Sequence, residues 1–305
     1  MTPDRLTLLV TDSGLGGLSV YADLVEGLTK ASPCPNVSLI YFNAWPEEDR
    51  GYNHYPDMDY KARVFQNAME AMADFQPQQI LIACNTLSVI YEHTPFAQAR
   101  PIPVTGIVDM GVTQIKQALK ADPHAGVIVF GTPTTADSAV HAQALIRQGI
   151  APERIFNQGC FNLAGNIERR PFSGQVDEMI AKNAESAAQQ IRERGKAFSK
   201  LYLALCCTHF GYRADAFVQA VEAAAHTPAA ILNPNQAMAE QALSTDRKLG
   251  PAQVELSIFS RVTWEQERLD AYEKLFAARS PRTVEALKTY TLNPELFRIK
   301  EGHQR

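Results

Sequence analysis

The sequence has no long apolar run. The longest, such as residues 201–207, fall far short of the roughly 20 residues that cross a bilayer as a helix. An excess of either charge is also missing: 29 basic against 33 acidic residues leave a net charge of −4. That balance gives no electrostatic grip on nucleic acid or an anionic membrane surface. Cysteines are few, namely Cys34, Cys84, Cys160, Cys206 and Cys207, an odd set without regular spacing. Such a set argues against a disulfide framework. The first apolar stretch, residues 6–10, is too short for a secretory signal core and no small-residue cleavage site follows it, so reduced thiols in the cytoplasm are expected. The paired spacing of a zinc knuckle is absent too. Cys206-Cys207-x-His209 is too tight, and no second Cys/His pair accompanies it, so no metal site is expected. Gly14-Leu15-Gly16-Gly17 lacks the full glycine spacing of a dinucleotide fingerprint, and Asp12 puts negative charge where a pyrophosphate would sit. His54, His93, His124, His141 and His226 have no paired context and read as solvated or structural.

What is present is an ordinary globular chain. Its 305 residues are 46% apolar and 20% charged, which excludes wholesale disorder and fits one large or two ordinary α/β domains. Short apolar runs alternate with helical patterns, the signature of a mostly parallel sheet covered by helices. Strands are expected at 7–11, 37–42, 79–83, 104–107, 125–130 and 201–205. Val64, Phe65, Ala68, Met69 and Met72 recur at steps of three and four and predict a helix. A second helix is expected at 175–193, with Val176, Met179, Ile180, Ala184, Ala187 and Ile191 on one face and Gly195 at its C-terminal cap. The charge-rich segment after about Thr245, with Trp264, Leu269, Tyr272 and Leu275 at helical spacing, reads as a helical extension on the surface.

A weak internal repeat carries more information. Leu8-Leu9-Val10-Thr11-Asp12-Ser13-Gly14 is a buried strand running into a polar turn, and Val127-Ile128-Val129-Phe130-Gly131-Thr132-Pro133 repeats that shape. Leu81-Ile82-Ala83-Cys84-Asn85-Thr86 recurs in outline as Leu203-Ala204-Leu205-Cys206-Cys207-Thr208. Both offsets are roughly 120 residues, which suggests two copies of one α/β unit of domain size.

In parallel α/β sheets ligands sit outside the carboxyl ends of the strands. Three expected strands end there in reactive groups: Asp12-Ser13, Cys84-Asn85-Thr86 and Cys207-Thr208-His209. A pseudo-twofold repeat would place the two cysteines across a cleft. Moving a proton from one face of an amino acid's α-carbon to the other needs an acid/base group on each side. Thiols suit the task, because a free cysteine pKa near about 8.5 lets modest perturbation poise one as thiolate and the other as thiol. Asp12 and His209 stand where each assists one sulfur. Asn85, Thr86 and Thr208 would hold the α-carboxylate and stabilise the carbanion-like state. The plainer reading of a strand-end cysteine is a small core hydrophobe, and Cys34 and Cys160 are read that way.

Asp12-Ser13-Gly14-Leu15-Gly16-Gly17-Leu18-Ser19-Val20, Ala83-Cys84-Asn85-Thr86 and Cys207-Thr208-His209 together resemble the three signatures of the glutamate racemases. These belong to the wider aspartate/glutamate racemase superfamily, which works without cofactor or metal. Residues 126–135 resemble the strand that opens that family's second domain, and the resemblance covers about residues 7 to 240. It implies Cys84 and Cys207 as the two catalytic acid/bases, Asp12 as the assistant of Cys84, and His209 as that of Cys207. Glu168 falls where the family places a further acidic helper on the Cys207 side. Ser13, Asn85, Thr86, Thr135 and Thr208 would bind substrate. In the loop after the second strand the family usually carries Pro-Tyr-Gly against the substrate's side-chain carboxylate; here it is Gly51-Tyr52-Asn53, which makes Tyr52 and Asn53 the corresponding candidates. Cys206 stands where the family has glycine, and residues 160–165 lack the usual prolines.

The expectation is therefore an α/β protein of two similar domains with mostly parallel sheets, related by a pseudo-twofold, with the active site in the cleft between them. The first domain would take residues 1–108 and 215–305, and the second 109–214. The expected activity is cofactor-independent interconversion of L- and D-glutamate by two-cysteine proton transfer, supplying D-glutamate for peptidoglycan in the cytoplasm. The expected partner is a small acidic amino acid, with no nucleic acid and no membrane, and a homodimer is left open. The alternatives are an aspartate or broad-specificity racemase, and a non-catalytic sensor binding an acidic metabolite in the same cleft.

Overall fold

A computed structural model describes residues 5–48, 50–244 and 250–299. In chain order the described residues form the strands β1 (Arg5–Asp12), β2 (Asn36–Asn43), β3 (Gln79–Ile82), β4 (Val104–Gly106), β5 (Gly126–Gly131), β6 (Ile155–Gly159), β7 (Leu201–Cys206), β8 (Ala229–Leu232), β9 (Gln253–Ser260) and β10 (Thr291–Leu292). They fall into two compact units, one built from residues 1–106 and 238–305, the other from 107–237.

The first unit holds a six-stranded sheet in the order β10-β9-β2-β1-β3-β4, parallel throughout. A parallel strand covered on both faces needs apolar residues on both, and the continuous runs of β1 and β2 supply them. Leu9, Val10, Leu39, Tyr41 and Phe42 are all fully buried. The stripe at 64–72 lies on the helix Met58–Ala73, which starts where the Asp57 carboxylate accepts the Tyr60 amide at 2.7 Å. Its Phe65, Ala68, Met69 and Met72 pack with Phe42, Ile80 and Ile82 in one core cluster that also includes Cys84.

The second unit holds a four-stranded sheet in the order β6-β5-β7-β8, again parallel throughout. This order equals the β2-β1-β3-β4 part of the first sheet, so the sequence repeat corresponds to a repeat of topology. The period-two alternation of a strand sorts its side chains between two cores. Ile128, Phe130, Leu203, Leu205 and Cys207 join the core under the helix Gly174–Glu193. Val127, Val129, Ala204 and Cys206 face the opposite core with Ile115 and Leu145. The helix Gly174–Glu193 ends as expected at Gly195, whose φ of +60° suits a residue without Cβ. The amides of Gly195 and Lys196 turn back to the carbonyls of Arg192 and Ile191 at 2.9 and 3.2 Å and close its last turn.

Two expectations need correction. Residues 215–237, expected in the first domain, pack in the second unit, because β8 pairs with β7 and the helix Ala214–Ala225 carries Phe217 and Val221 into the core beneath it. The C-terminal segment is not a helical surface extension. Thr245 lies outside the described residues, but β9 inserts beside β2 along its whole length. Its two helices, Gln266–Phe276 and Pro281–Lys288, bury Tyr272, Phe276, Val284 and Leu287. Tyr21, from the helix Leu18–Lys30, donates to the Leu39 carbonyl at 3.1 Å and to that of Ser257 at 3.4 Å, tying β2 and β9 to the same cover.

One buried group sets an acid limit on stability. His141 is 1% exposed, and neither ring nitrogen has a hydrogen-bond partner among the described residues. Burial alone pushes it down to about 4 from its ordinary 6.5. Between those pH values the unfolded chain binds a proton that the folded chain refuses, so stability falls as pH drops, by about 1.4 kcal/mol per unit. Urea unfolding at pH 7 and pH 4.5 should show that loss, and His141→Leu should reduce it. An equal loss in the variant would assign the acid limb to carboxylates instead.

Candidate active site

Each sheet has a topological switch point, where the chain leaves its first strand to one side and returns on the other. In the first unit it lies between β1 and β3, and in the second between β5 and β7. The carboxyl ends of strands at such a point diverge and leave room for a ligand. Cys84 follows β3 after one intervening residue and Cys207 follows β7 directly, one at each switch point.

In the first unit Asp12 ends β1 and is 1% exposed, with half-buried Ser13 next to it. The Ser13 hydroxyl lies 3.3 Å from the Cys84 sulfur. Cys84 caps the short helix Asn85–Tyr91. Burial pushes its thiol up to about 12, and the negative charge of Asp12 adds to that; the Ser13 hydroxyl and the amides of Leu87 and Ser13 act the other way. Cys84 therefore rests as a thiol at neutral pH. Asn85 and Thr86 are both buried, and the Asn85 carboxamide has no hydrogen-bond partner on either end among the described residues. An unsatisfied buried amide costs about 1–3 kcal/mol, a cost that an incoming polar ligand relieves.

Tyr52 opens a 3₁₀ turn, Tyr52–His54, with its ring edge-on to both Tyr55 and Phe65. It is 1% exposed and belongs to the same core cluster as Cys84. Burial keeps its hydroxyl protonated, and a charge on Cys84 would reinforce that. The side chain is thus enclosed in the core rather than displayed, while Asn53 beside it is half-buried.

In the second unit Cys207 precedes the 3₁₀ turn Thr208–Arg213, so Thr208 and His209 follow it in a tight coil. His209 Nδ1 lies 3.8 Å from the Cys207 sulfur, and its Nε2 lies 2.7 Å from Glu168 Oε2. Both residues of that contact are buried, at 8% and 2% side-chain exposure. A carboxylate on Nε2 fixes the proton there and leaves Nδ1 facing the sulfur as the acceptor. Glu168 reaches this position from the helix Leu163–Arg169. Thr135, in the helix Pro133–Ser138 after β5, is buried with its hydroxyl 3.2 Å from that of Thr132.

The structure thus gathers Asp12, Ser13, Cys84, Asn85 and Thr86 at one switch point. Cys207, Thr208, His209 and Glu168 gather at the other, with Thr135 at the end of β5. Cys206 takes no part in the second cluster, because strand alternation turns it to the opposite core. Burial raises its thiol, as it does that of Cys160.

With that geometry in view, the sequence profile described as Asp/Glu/Hydantoin racemase matches residues 8–248. The chain belongs to that family. It is accordingly an isomerase of the racemase kind. A glutamate racemase of Syntrophus aciditrophicus is 29% identical over 210 residues, 68% of this chain and 70% of that protein. One of Helicobacter acinonychis is 32% identical over 143 residues, covering 46% of this chain and 51% of its own. Among solved structures, glutamate racemase from Campylobacter jejuni superposes with a TM-score of 0.66 at 22% identity, over 90% of this chain and 98% of its own. The Francisella tularensis glutamate racemase, solved in complex with D-glutamate, gives 0.66 at 19% identity, over 95% and 97%. At those identities the superpositions establish the α/β fold of parallel sheets.

Among the described residues of the racemase, no group of three or more His, Cys, Asp or Glu could hold a metal ion. No helix among them is long and apolar enough to cross a membrane. Sequence reasoning passed over one supporting residue, Asn235, whose amide donates to the Thr208 carbonyl at 3.1 Å and pins the turn carrying His209. Its signal was Asn233-Pro234-Asn235, turn chemistry at the start of the helix Pro234–Leu243.

Proposed function

We propose that this racemase interconverts L- and D-glutamate by proton transfer between two thiols. The observation that carries the reading is the placing of each cysteine at the switch point of its sheet, Cys207 with His209 Nδ1 3.8 Å away and Cys84 within the field of the Asp12 charge. Cys207 passes its proton to His209 Nδ1, and Glu168 holds the resulting imidazolium. The thiolate takes the α-proton of one enantiomer. Cys84, held as a thiol beside Asp12, delivers its proton to the opposite face of the carbanion. Protons and charge balance, and the two sulfurs end with their states exchanged, ready for the reverse direction.

Asn85, Thr86, Thr135, Thr208 and Ser13 supply the donors for the substrate's carboxylate and ammonium groups and for the charge that develops at the α-carbon. The Gly51–Asn53 stretch meets the side-chain carboxylate, with half-buried Asn53 as the group that sets its fit. Glutamate is favoured because the relatives at 29% and 32% identity carry that name. Its D-enantiomer would go to peptidoglycan, and five free thiols suit a cytoplasmic setting.

Proton NMR in deuterated water tests this reading. The α-proton signal should wash out of both enantiomers of glutamate, and circular dichroism of the mixture should decay to zero. Washout from aspartate alone would keep the chemistry and move the specificity to Asn53. Persistence of the α-protons of both amino acids would overturn the racemase assignment and favour a binding role.

A further inference from the structure

Resting on the two-thiol reading, we propose that Gly17 is a positioning residue for Asp12, because the space left by its missing Cβ holds the Asp12 carboxylate beside Cys84. The backbone of Gly17 does not need glycine. Its φ of −66° and ψ of −9° are open to any residue, and it caps the helix Leu18–Lys30, where side chains are ordinarily welcome. Space is what the position lacks. A Cβ there would lie 2.8 Å from Asp12 Cβ, 3.0 Å from Asp12 Oδ2 and 3.2 Å from Ala83 Cβ. Unbonded carbons settle at about 3.5–4.0 Å.

The two residues that own these atoms are both held by their backbones. Asp12 is the last residue of β1, and its carbonyl accepts the Ala44 amide at 2.8 Å. Ala83 is fully buried, bonded through its amide to the Thr11 carbonyl at 2.9 Å, and is joined directly to Cys84. The loop that carries Gly17 is fixed as well. The Tyr41 hydroxyl donates to the Gly14 carbonyl at 2.7 Å, and the amides of Leu18 and Ser19 close onto the carbonyls of Leu15 and Gly16. The Asp12 carboxylate therefore rests against a helix start, whose positive end favours negative charge. A methyl group at position 17 must displace that carboxylate or shift residues 83 and 84. Either change alters how Asp12 and Cys84 face each other.

The test compares Gly17→Ala with the wild type in three measurements: thermal melting, racemisation kinetics, and the pH dependence of Cys84 alkylation by iodoacetamide, read on the Cys84 peptide by mass spectrometry. Expected are a cooperative melt, a kcat lower by roughly tenfold to a hundredfold with KM little changed, and a displaced alkylation midpoint. In an Asp12→Asn background Gly17→Ala should add no further loss of kcat and no further displacement. Gly174→Ala, where a Cβ meets nothing within 4 Å, is the unaffected control. Wild-type kcat with an unmoved midpoint in Gly17→Ala would overturn the proposal, and so would a loss that adds fully to that of Asp12→Asn. If Gly17→Ala alone is unstable, Gly17→Ala/Ala83→Gly removes one obstructing Cβ and is read by the same criteria. Absence of α-proton exchange in the wild type would remove the racemase reading, while the alkylation comparison would still decide the placement of Asp12.

Discussion

Cys84→Ala and Cys207→Ala each lower kcat/KM for racemisation by at least about a thousandfold, and by the same factor from either enantiomer. The equality is thermodynamic. Enantiomers have the same free energy in water, so the equilibrium constant is one, and kcat/KM cannot differ between the two directions in any variant. On the two-thiol reading both sulfurs act in every turnover, so neither replacement spares a direction. Each removes only one buried sulfur and should cost about 1 kcal/mol, leaving a cooperative melt. The control is unusually close. Cys206 adjoins Cys207 in sequence but faces the opposite core. Cys206→Ala should therefore keep kcat while losing similar stability. Wild-type racemisation in either Cys84→Ala or Cys207→Ala, measured by polarimetry, would end the two-thiol mechanism.

Glu168→Gln should reduce kcat by about a hundredfold with little loss of stability. The amide keeps the size of the carboxylate and can hydrogen-bond His209 Nε2, where the two groups stand 2.7 Å apart. On the same reading, the charge that steadies the imidazolium is what disappears. Direction cannot reveal which thiol is impaired, for the reason just given, but isotopes can. With the Cys207 step slowed, α-deuterated substrate should show an increased isotope effect from the enantiomer that Cys207 deprotonates. From the other enantiomer the increase should move to the solvent. Asp12→Asn should give the mirror-image pattern through Cys84. Identical patterns in the two variants would mean that the helpers do not serve separate sulfurs.

Much of this site was legible in the sequence because parallel strands announce themselves. Buried on both faces, β1, β3, β5 and β7 are short apolar runs, and each ends abruptly in polar or reactive residues. Asp12, Cys84 and Cys207 could be placed at strand ends on that ground alone. Glu168 could not, since nothing local marks a carboxylate on the helix Leu163–Arg169 as the partner of a histidine more than forty positions later; only the family resemblance pointed to it. Cys206 was ambiguous until strand alternation could be counted from an observed register.

The missed strands share a physical cause. β8 is only partly buried along its whole length, and β6 ends in the polar Asn157 and Gln158 followed by Gly159. β9 mixes buried Val254 and Ile258 with exposed Glu255, a pattern overshadowed by the helical spacing that follows it. The end of the second unit is hidden with them, because without β8 the chain reads as leaving the second sheet at β7.

The insertion of β9 beside β2 also governs the order in which the chain can be completed as it leaves the ribosome. The second unit is one contiguous stretch and has all its strands once residue 237 is synthesised. The first unit, although begun earlier, must wait for residues 253–260 before β2 gains its second neighbour. Until then β2, with Val37, Leu39 and Tyr41 along it, is an unpaired apolar edge of the kind that recruits other chains. Nascent chains halted between the two points are where aggregation should concentrate, and the half of the protein that starts first is the half that finishes last.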